Sequence, residues 1–244
     1  TYGDMLRVPG RSGSLEALRA QGARVQVVNS ARTALEIARA QPGAQVVFLG
    51  VGFETTAPAT AATVLEAERE GLRNLLVLMC HKRIVPAMLA LLQGGDVPLD
   101  GFMCPGHVSV IIGAAAYRPV VERYHKGCVV TGFEPEQMLL GMVRLVRQAC
   151  AAKASLENVY SAVVSAEGNP TARSLFAQVF VPADTAWRAL GLIESSGFEL
   201  SPAYRRFDAL ERFGVVLGAD DDHPACLCGQ VIQGKADPVE CPLF

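Results

Sequence analysis

Three cysteines near the end of the chain carry the sharpest chemical signal. Cys226 and Cys228 are separated by one residue, and Cys241 follows further on, just before Pro242. Thiolates hold zinc and iron–sulfur clusters, and a Cys-Pro pair recurs in cluster ligand sets. Gly229, directly after Cys228, lets the backbone pass close to such a group. A structural zinc or a four-iron cluster wants four ligands, and this stretch offers three thiols. Either His223 completes a zinc site or the remaining ligands lie beyond Phe244. Three unlinked buried thiols are the plainer alternative, but the polar, loop-like surroundings of Cys226 and Cys228 offer little burial. Of the other four, Cys80, Cys104 and Cys128 end or begin expected strands and Cys150 lies on an apolar helix face, so core packing is expected of them.

A second set of residues is marked by repetition. Gly52-Phe53-Glu54 follows the apolar run Val46-Val47-Phe48-Leu49, and Gly132-Phe133-Glu134 follows Cys128-Val129-Val130. Each is followed by a proline (Pro58, Pro135) and a helical pattern, so each reads as strand, tight turn and helix start with a carboxylate at the turn. Carboxyl ends of parallel strands line the ligand crevice of α/β sheets. His81 after Leu75–Cys80, and His107 after Phe102-Met103-Cys104-Pro105-Gly106, occupy the same kind of position. Two imidazoles and two carboxylates at strand ends can do acid–base work, bind a metal or orient an anionic ligand. The alternative is that Glu54, Glu134, His81 and His107 cap helices or serve as core donors. Thr55 and Thr56 are expected N-caps that can also meet a ligand.

The elements that must position these groups follow a βα rhythm. Strands are expected at 23–28, 45–50, 74–80, 101–104 and 127–131. Helices are expected at 14–21, 30–41, 56–70, 84–93, 107–117 and 134–152. In the last of these Leu139, Met142, Val143, Val146, Ala149 and Cys150 recur at the helical period, as a core-facing stripe does. Strands alternating with helices imply parallel sheets. A division is placed near residue 72, where Glu70-Gly71 precedes a fresh strand, giving a first α/β domain at 1–72 and a second at 73–152. After 152 the rhythm changes. Residues 158–165 can form a strand, Gly168-Asn169-Pro170 a turn into a helix ending at Val179, and Trp187–Gly191 and Glu194-Ser195-Ser196-Gly197 read as turns. The acidic run Asp220-Asp221-Asp222 precedes the cysteines. Residues 153–244 thus read as a small third region that needs a staple beyond its core.

Composition excludes several classes. The 244 residues are 50% hydrophobic and 19% charged, with a net charge of −2 and no large Lys/Arg cluster, so nucleic acid is not an expected partner. No apolar run approaches the ~18 residues a bilayer span requires. Seven cysteines without disulfide-framework spacing fit a reducing, cytoplasmic setting. The start, Thr1-Tyr2-Gly3-Asp4, has neither signal-peptide features nor an initiator Met, so the chain reads as a fragment. Phosphate-loop, dinucleotide and serine-hydrolase motifs are absent from the sequence.

Several of these segments together resemble the HypD family of hydrogenase maturation proteins. They are Gly3–Gly10, Gly52-Phe53-Glu54-Thr55-Thr56, Pro105-Gly106-His107-Val108-Ser109, Gly132-Phe133-Glu134-Pro135, Glu194–Gly197, Arg206-Phe207-Asp208-Ala209, Cys228-Gly229 and Glu240–Phe244. The resemblance runs along the whole chain. It implies two parallel-sheet βαβ domains facing a cleft and a small C-terminal iron–sulfur-type domain holding a [4Fe-4S] cluster. Its implied task is to scaffold the Fe(CN)2CO group of [NiFe] hydrogenases with a HypC-type chaperone and a HypE-type cyanide donor. Iron would sit between a cysteine of each of the two scaffold proteins, and the cluster and nearby thiols would supply electrons. Cys228 and Cys241 match cluster positions, with Cys226 beside them. Glu54, Thr55, His81, His107 and Glu134 are the expected cleft residues. The family's Cys-Gly-Gly-His and Gly-Pro-Gly-Cys-Pro-x-Cys segments belong upstream of Thr1, and further cluster cysteines belong downstream of Phe244. The competing readings are a two-domain α/β small-molecule enzyme stapled by a zinc knuckle of Cys226, Cys228, Cys241 and His223, and a protein-binding module without metal.

Overall fold

The computed structural model describes residues 1–10, 13–95, 97–216 and 223–244. Arg11 and Ser12 of the expected N-terminal loop and the acidic run Asp220-Asp221-Asp222 lie outside the described residues. The elements are α1 (Leu15–Ala20), α2 (Ala31–Ala40), β1 (Val46–Gly52), α3 (Ala57–Arg69), β2 (Leu75–His81), α4 (Ile84–Gln93), β3 (Gly101–Pro105), α5 (Gly106–Ile112), α6 (Arg118–Tyr124), β4 (Gly127–Thr131), α7 (Pro135–Cys150), β5 (Leu156–Asn158), α8 (Pro170–Val179), β6 (Phe180–Trp187), β7 (Gly191–Leu200), α9 (Ala209–Phe213) and α10 (Cys228–Ile232). Contacts divide the chain into two compact units. The first comprises Thr1–Lys82, Leu175–Val181 and Phe198–Leu217, and the second Arg83–Ser174, Pro182–Gly197 and Gly218–Phe244.

In the first unit β1 and β2 pair in parallel, from Val46 opposite Leu75 to Gly52 opposite His81. That pairing keeps β2 with the first unit, so the boundary expected near 72 falls inside it. The boundary expected near 152 is not a unit edge either, because Phe180, Phe198 and Phe207 from the later chain complete the first core. α2 starts at Ser30, whose hydroxyl accepts from the Thr33 N–H, and buries Ala31, Ala34, Leu35 and Ala38, one stripe at the helical period. Its small side chains let α3 approach, which buries Ala57, Thr60, Ala61, Thr63, Val64 and Ala67. On the outer side Arg39 forks onto Glu70 at 2.7 and 2.6 Å and reaches Glu66 at 2.8 Å. The stretch 23–28, expected as a strand, forms none. Val28 N–H meets the Thr1 carbonyl and the Thr1 amino group meets the Gln26 carbonyl, with no longer ladder to extend them.

Asn74, buried just before β2, closes the end of α2. Its amide nitrogen lies 2.9–3.0 Å from the carbonyls of Ala38, at the end of the helix, and of Gln41 and Ala44 beyond it; that of Gln41 also accepts from the Ala44 N–H. Asn74→Ala removes the side-chain donor from the buried Ala38 carbonyl, and we expect a loss of about 1–3 kcal/mol in urea unfolding. An unchanged midpoint would show that water satisfies this carbonyl.

The second unit carries a parallel sheet ordered β3-β4-β5, with Gly101 opposite Gly127 and Cys128 opposite Leu156. Every residue of β4 is buried, as a central parallel strand covered on both faces requires. The core adds Cys104, Cys128, Tyr117, Val120 and Val164. The helix expected over 107–117 breaks at Gly113 (φ +86°, ψ 152°) and resumes as a 3-10 turn, Ala114–Tyr117. Beyond β5 the stretch expected as a strand to 165 turns away after Asn158. The Glu194–Gly197 segment, expected as a turn, lies inside β7. Ser195 has φ +52° there, its N–H donates to Asp184 at 2.8 Å, and its carbonyl accepts from Arg83. Ser and Gly in this strand mark a local kink rather than a chain reversal.

α7 is reversed relative to its sequence pattern. The stripe does share a face, but Leu139 (60% exposed), Met142, Val143 and Val146 (61%) lie on the outside, with Met138 and Leu140 beside them. Gly141 and Gln148 face inward. The Gln148 amide group donates to Glu157 at 2.7 Å and its oxygen accepts from the Ser155 N–H, so a polar residue docks this helix onto the sheet. Cys150 is consequently exposed and Cys80 half-buried, whereas Cys104 and Cys128 are in the core as expected.

Candidate functional site

In the first unit the strand-end residues gather about His81. It is the last residue of β2 and fully buried, rather than a residue of the following turn. Its Nε2 lies 2.9 Å from Thr60 Oγ1, and its Nδ1 lies 3.4 Å from Thr56 Oγ1. Thr56 and Thr60 sit one helical turn apart on α3 and so present both hydroxyls to one ring. Burial pulls the His81 pKa down to about 4, opposed by a hydrogen bond with the Gly52 backbone. The imidazole is therefore neutral at physiological pH, held in place from both nitrogens. Gly52 itself adopts φ +137°, and a Cβ there would collide with Thr56 Oγ1. The first Gly-Phe-Glu turn thus needs its glycine to seat Thr56 against His81. Thr56 occupies the N-cap position of α3 but makes no side-chain cap; its hydroxyl donates to the Phe53 carbonyl. Glu54 is buried, Thr55 is exposed and Phe53 is 38% exposed. Next to His81, burial raises the Cys80 pKa and lowers that of Lys82, each partly offset by the other.

In the second unit the equivalent strand ends carry exposed groups. His107, in the first turn of α5, stacks on Phe133 with ring centroids 4.6 Å apart at 52°. Phe133 is 56% exposed. Glu134 stands at the N-cap position of α7 without a side-chain cap bond, and is exposed. Gln137 Oε1 is buried beside Gly132 and accepts no hydrogen bond among the described residues. Ser109, two residues after His107, is anchored to the Pro105 carbonyl at 2.8 Å and to Tyr117 Oη at 3.0 Å. The Pro-Gly-His-Val-Ser segment is therefore fastened at its serine and open at its histidine.

The C-terminal cysteines also lie in this unit. Cys228 begins α10, and the Cys226 thiol faces those of Cys228 and Cys241. The pKa of Cys228 is raised, mainly by its hydrogen bond with Cys226. That of Cys241 is lowered, first by the backbone of Leu227 and then by those of Leu243 and Phe244. Backbone N–H groups donating to a sulfur favour its thiolate. His223 is engaged locally, its Nδ1 accepting from the Ala225 N–H at 3.2 Å. Among the described residues no group of three or more His, Cys, Asp or Glu side chains is placed to hold a metal ion. The three thiols are neighbours without converging on one point.

Sequence reasoning found the strand-end positions but missed their immediate partners. Thr60 was recoverable from its four-residue spacing after Thr56. The contact of Phe133 with His107, and the approach of Arg188 to Cys228, join residues far apart in sequence and leave no local signal. No described helix is long and apolar enough to cross a membrane.

The sequence model of the HypD family, described as "Hydrogenase formation hypA family", matches residues 1–244. Similar relatives include the hydrogenase maturation factor HypD of Escherichia coli (strain K12), 44% identical over 245 residues, covering 100% of this chain and 66% of the relative. That of Rhodobacter capsulatus is 42% identical over 249 residues with the same coverage. A putative hydrogenase expression/formation protein of Methanocaldococcus jannaschii is 36% identical over 244 residues, covering 100% of this chain and 68% of the relative. The chain thus spans about two thirds of the length of such relatives.

Proposed function

Because the chain belongs to the HypD family, we propose that it serves in cytoplasmic [NiFe]-hydrogenase maturation, as part of the scaffold on which the Fe(CN)2CO group is assembled. The observation that carries this reading is the family match over the whole chain. In this reading the partners are a HypC-type chaperone and a HypE-type cyanide donor, and the iron group is cargo. His107 and Glu134 are exposed at strand ends of the second unit, where they can meet a partner or the cargo directly. His81 and Glu54 are buried in the first unit, where the His81 ring holds Thr56 and Thr60 beside the first Gly-Phe-Glu turn.

The C-terminal thiols suit an iron–sulfur cluster in donor chemistry. Cys226, Cys228 and Cys241 are the residues that would hold it. Cys241 is already biased toward the thiolate by its backbone donors, and Gly229 packs so closely on the Ala189 carbonyl that a side chain there would collide. A bound [4Fe-4S] cluster would supply one-electron chemistry.

Two measurements test the reading. Replacing His107 by Ala in the full-length protein is expected to abolish hydrogenase activity in a complemented deletion strain while leaving the melting temperature unchanged, since the ring is exposed. Normal activity would remove His107 from the site. Anaerobically purified full-length protein, extended at both ends, is expected to contain iron and acid-labile sulfide at levels that Cys241→Ser lowers, whereas the 244 residues alone should hold little of either. Stoichiometric zinc without sulfide would favour the knuckle instead.

A further inference from the structure

The first unit contains a half-open cavity of about 490 Å³, remote in sequence from the Gly-Phe-Glu turns. It is lined by Arg73, Arg205, Arg206 and Arg212 with Asp208 and Glu211, and by the apolar Leu72, Leu75 and Phe207, of which Leu75 and Phe207 are nearly fully buried. The wall is tied to the sheet: Phe207 is buried in the core, and Asp208 bridges to Val77 of β2. This is the Arg206-Phe207-Asp208-Ala209 segment, whose sequence is distinctive and whose role the maturation reading leaves open.

The charges do not cancel. Arg206 is committed, with Nε donating to Glu68 at 2.8 Å and its guanidinium 4.7 Å above the Phe207 ring. Asp208 is committed too, its Oδ1 accepting from the N–H groups of Leu210 and Glu211 at the start of α9. With Arg206 paired to Glu68, the carboxylates of Asp208 and Glu211 face Arg73, Arg205 and Arg212, which make no ion pair or side-chain hydrogen bond among the described residues, so the lining stays net positive. Three unpaired guanidinium groups around one small cavity, outnumbering its two carboxylates, favour an anion between them. Guanidinium forks match phosphate oxygens in pairs, and the volume lies within the range of small-molecule sites. Three cations in so small a space suit a compact, multiply charged oxyanion better than a single carboxylate.

We propose that this cavity binds a small phosphate-bearing molecule, with Arg73, Arg205 and Arg212 on the phosphate oxygens and the half-buried Leu72 beside its less polar part. The inference is independent of the maturation reading, and its test needs no hydrogenase. Pyrophosphate is titrated into the protein by calorimetry, with citrate as the carboxylate control. Wild type should bind pyrophosphate. The double variant Arg205→Ala/Arg212→Ala should bind at least about ten-fold more weakly, the loss expected for two charge-assisted contacts. Glu211→Gln should bind more tightly. Both arginines are exposed, so the double variant should keep the wild-type melting temperature. Absence of binding to wild type, equal binding by the double variant, or equal affinity for citrate would each overturn the proposal.

Discussion

Gly113→Ala is expected to unfold the second unit or cost it more than about 4 kcal/mol, beyond the ordinary range for a point substitution. Gly113 ends α5 at φ +86°, a conformation that L side chains rarely adopt, and no space compensates. An added Cβ would lie inside the contact distance of the Ala166 carbonyl oxygen and only 2.5 and 2.6 Å from Glu167 C and Gly168 N. All three are backbone atoms, so no rotamer change relieves the clash. The crossing is also hydrogen-bonded: Ala114 N–H donates to Ser165, Ala115 N–H to Ala166 and Asn169 N–H to Ile111. Moving the 165–169 strand of chain aside would break these bonds together. Thermal unfolding followed by circular dichroism checks the effect. Gly43→Ala, with nothing within 4 Å of its added Cβ, is the control and should melt like wild type. Equal melting temperatures for the two variants would show that the 165–169 crossing yields easily.

The second large effect is on the pH dependence of stability. His81 has a folded pKa of about 4, pulled down by burial, against about 6.5 in the unfolded chain. Above pH ~6.5 both states hold a neutral ring, and it contributes no dependence. As pH falls from there, the unfolded chain takes up a proton that the folded ring refuses, so stability drops until pH reaches about 4. The full loss is about 3 kcal/mol, the free energy of a shift of that size. His107, His125 and His223 are exposed, so His81 is the one buried histidine of the chain. Urea unfolding at pH 7.0 and 4.5 should show the drop in wild type, and His81→Gln should remove most of it while lowering stability at pH 7. The same slope in wild type and variant would assign the dependence to carboxylates.

The α/β class was legible because apolar runs and helical periods alternate, and β1 to β4 appear at their expected places with parallel pairing. What escaped was orientation and long-range closure. The period of Leu139, Met142, Val143 and Val146 states which residues share a face of α7, but not which way that face points. The contact that decides it is Gln148 with Ser155 and Glu157, a polar pairing invisible to a hydrophobic pattern. Glu194–Gly197 misled for a related reason. Ser and Gly signal turns locally, yet Asp184, Thr185 and Trp187 hold the segment inside a strand, with Trp187 Nε1 donating to Ser196 Oγ at 2.8 Å. At the candidate site the strand ends were visible, whereas burial separated their roles: His81 and Glu54 are enclosed, and Thr55, His107 and Glu134 are open.

The route of the chain through the first unit also bears on its synthesis. Phe48, Leu35 and Val64 emerge early, but Phe180, Phe198 and Phe207, which complete their core, come more than a hundred residues later. At translation rates of ~5–20 residues per second, the early half-core waits roughly 5–30 seconds for its missing aromatics. During that time the apolar faces of α2, α3 and the β1–β2 ribbon stand open on the nascent chain. Slowing elongation between codons 82 and 198 should lengthen this exposure and lower the soluble yield. A circular permutant that makes the late aromatics first should shorten it.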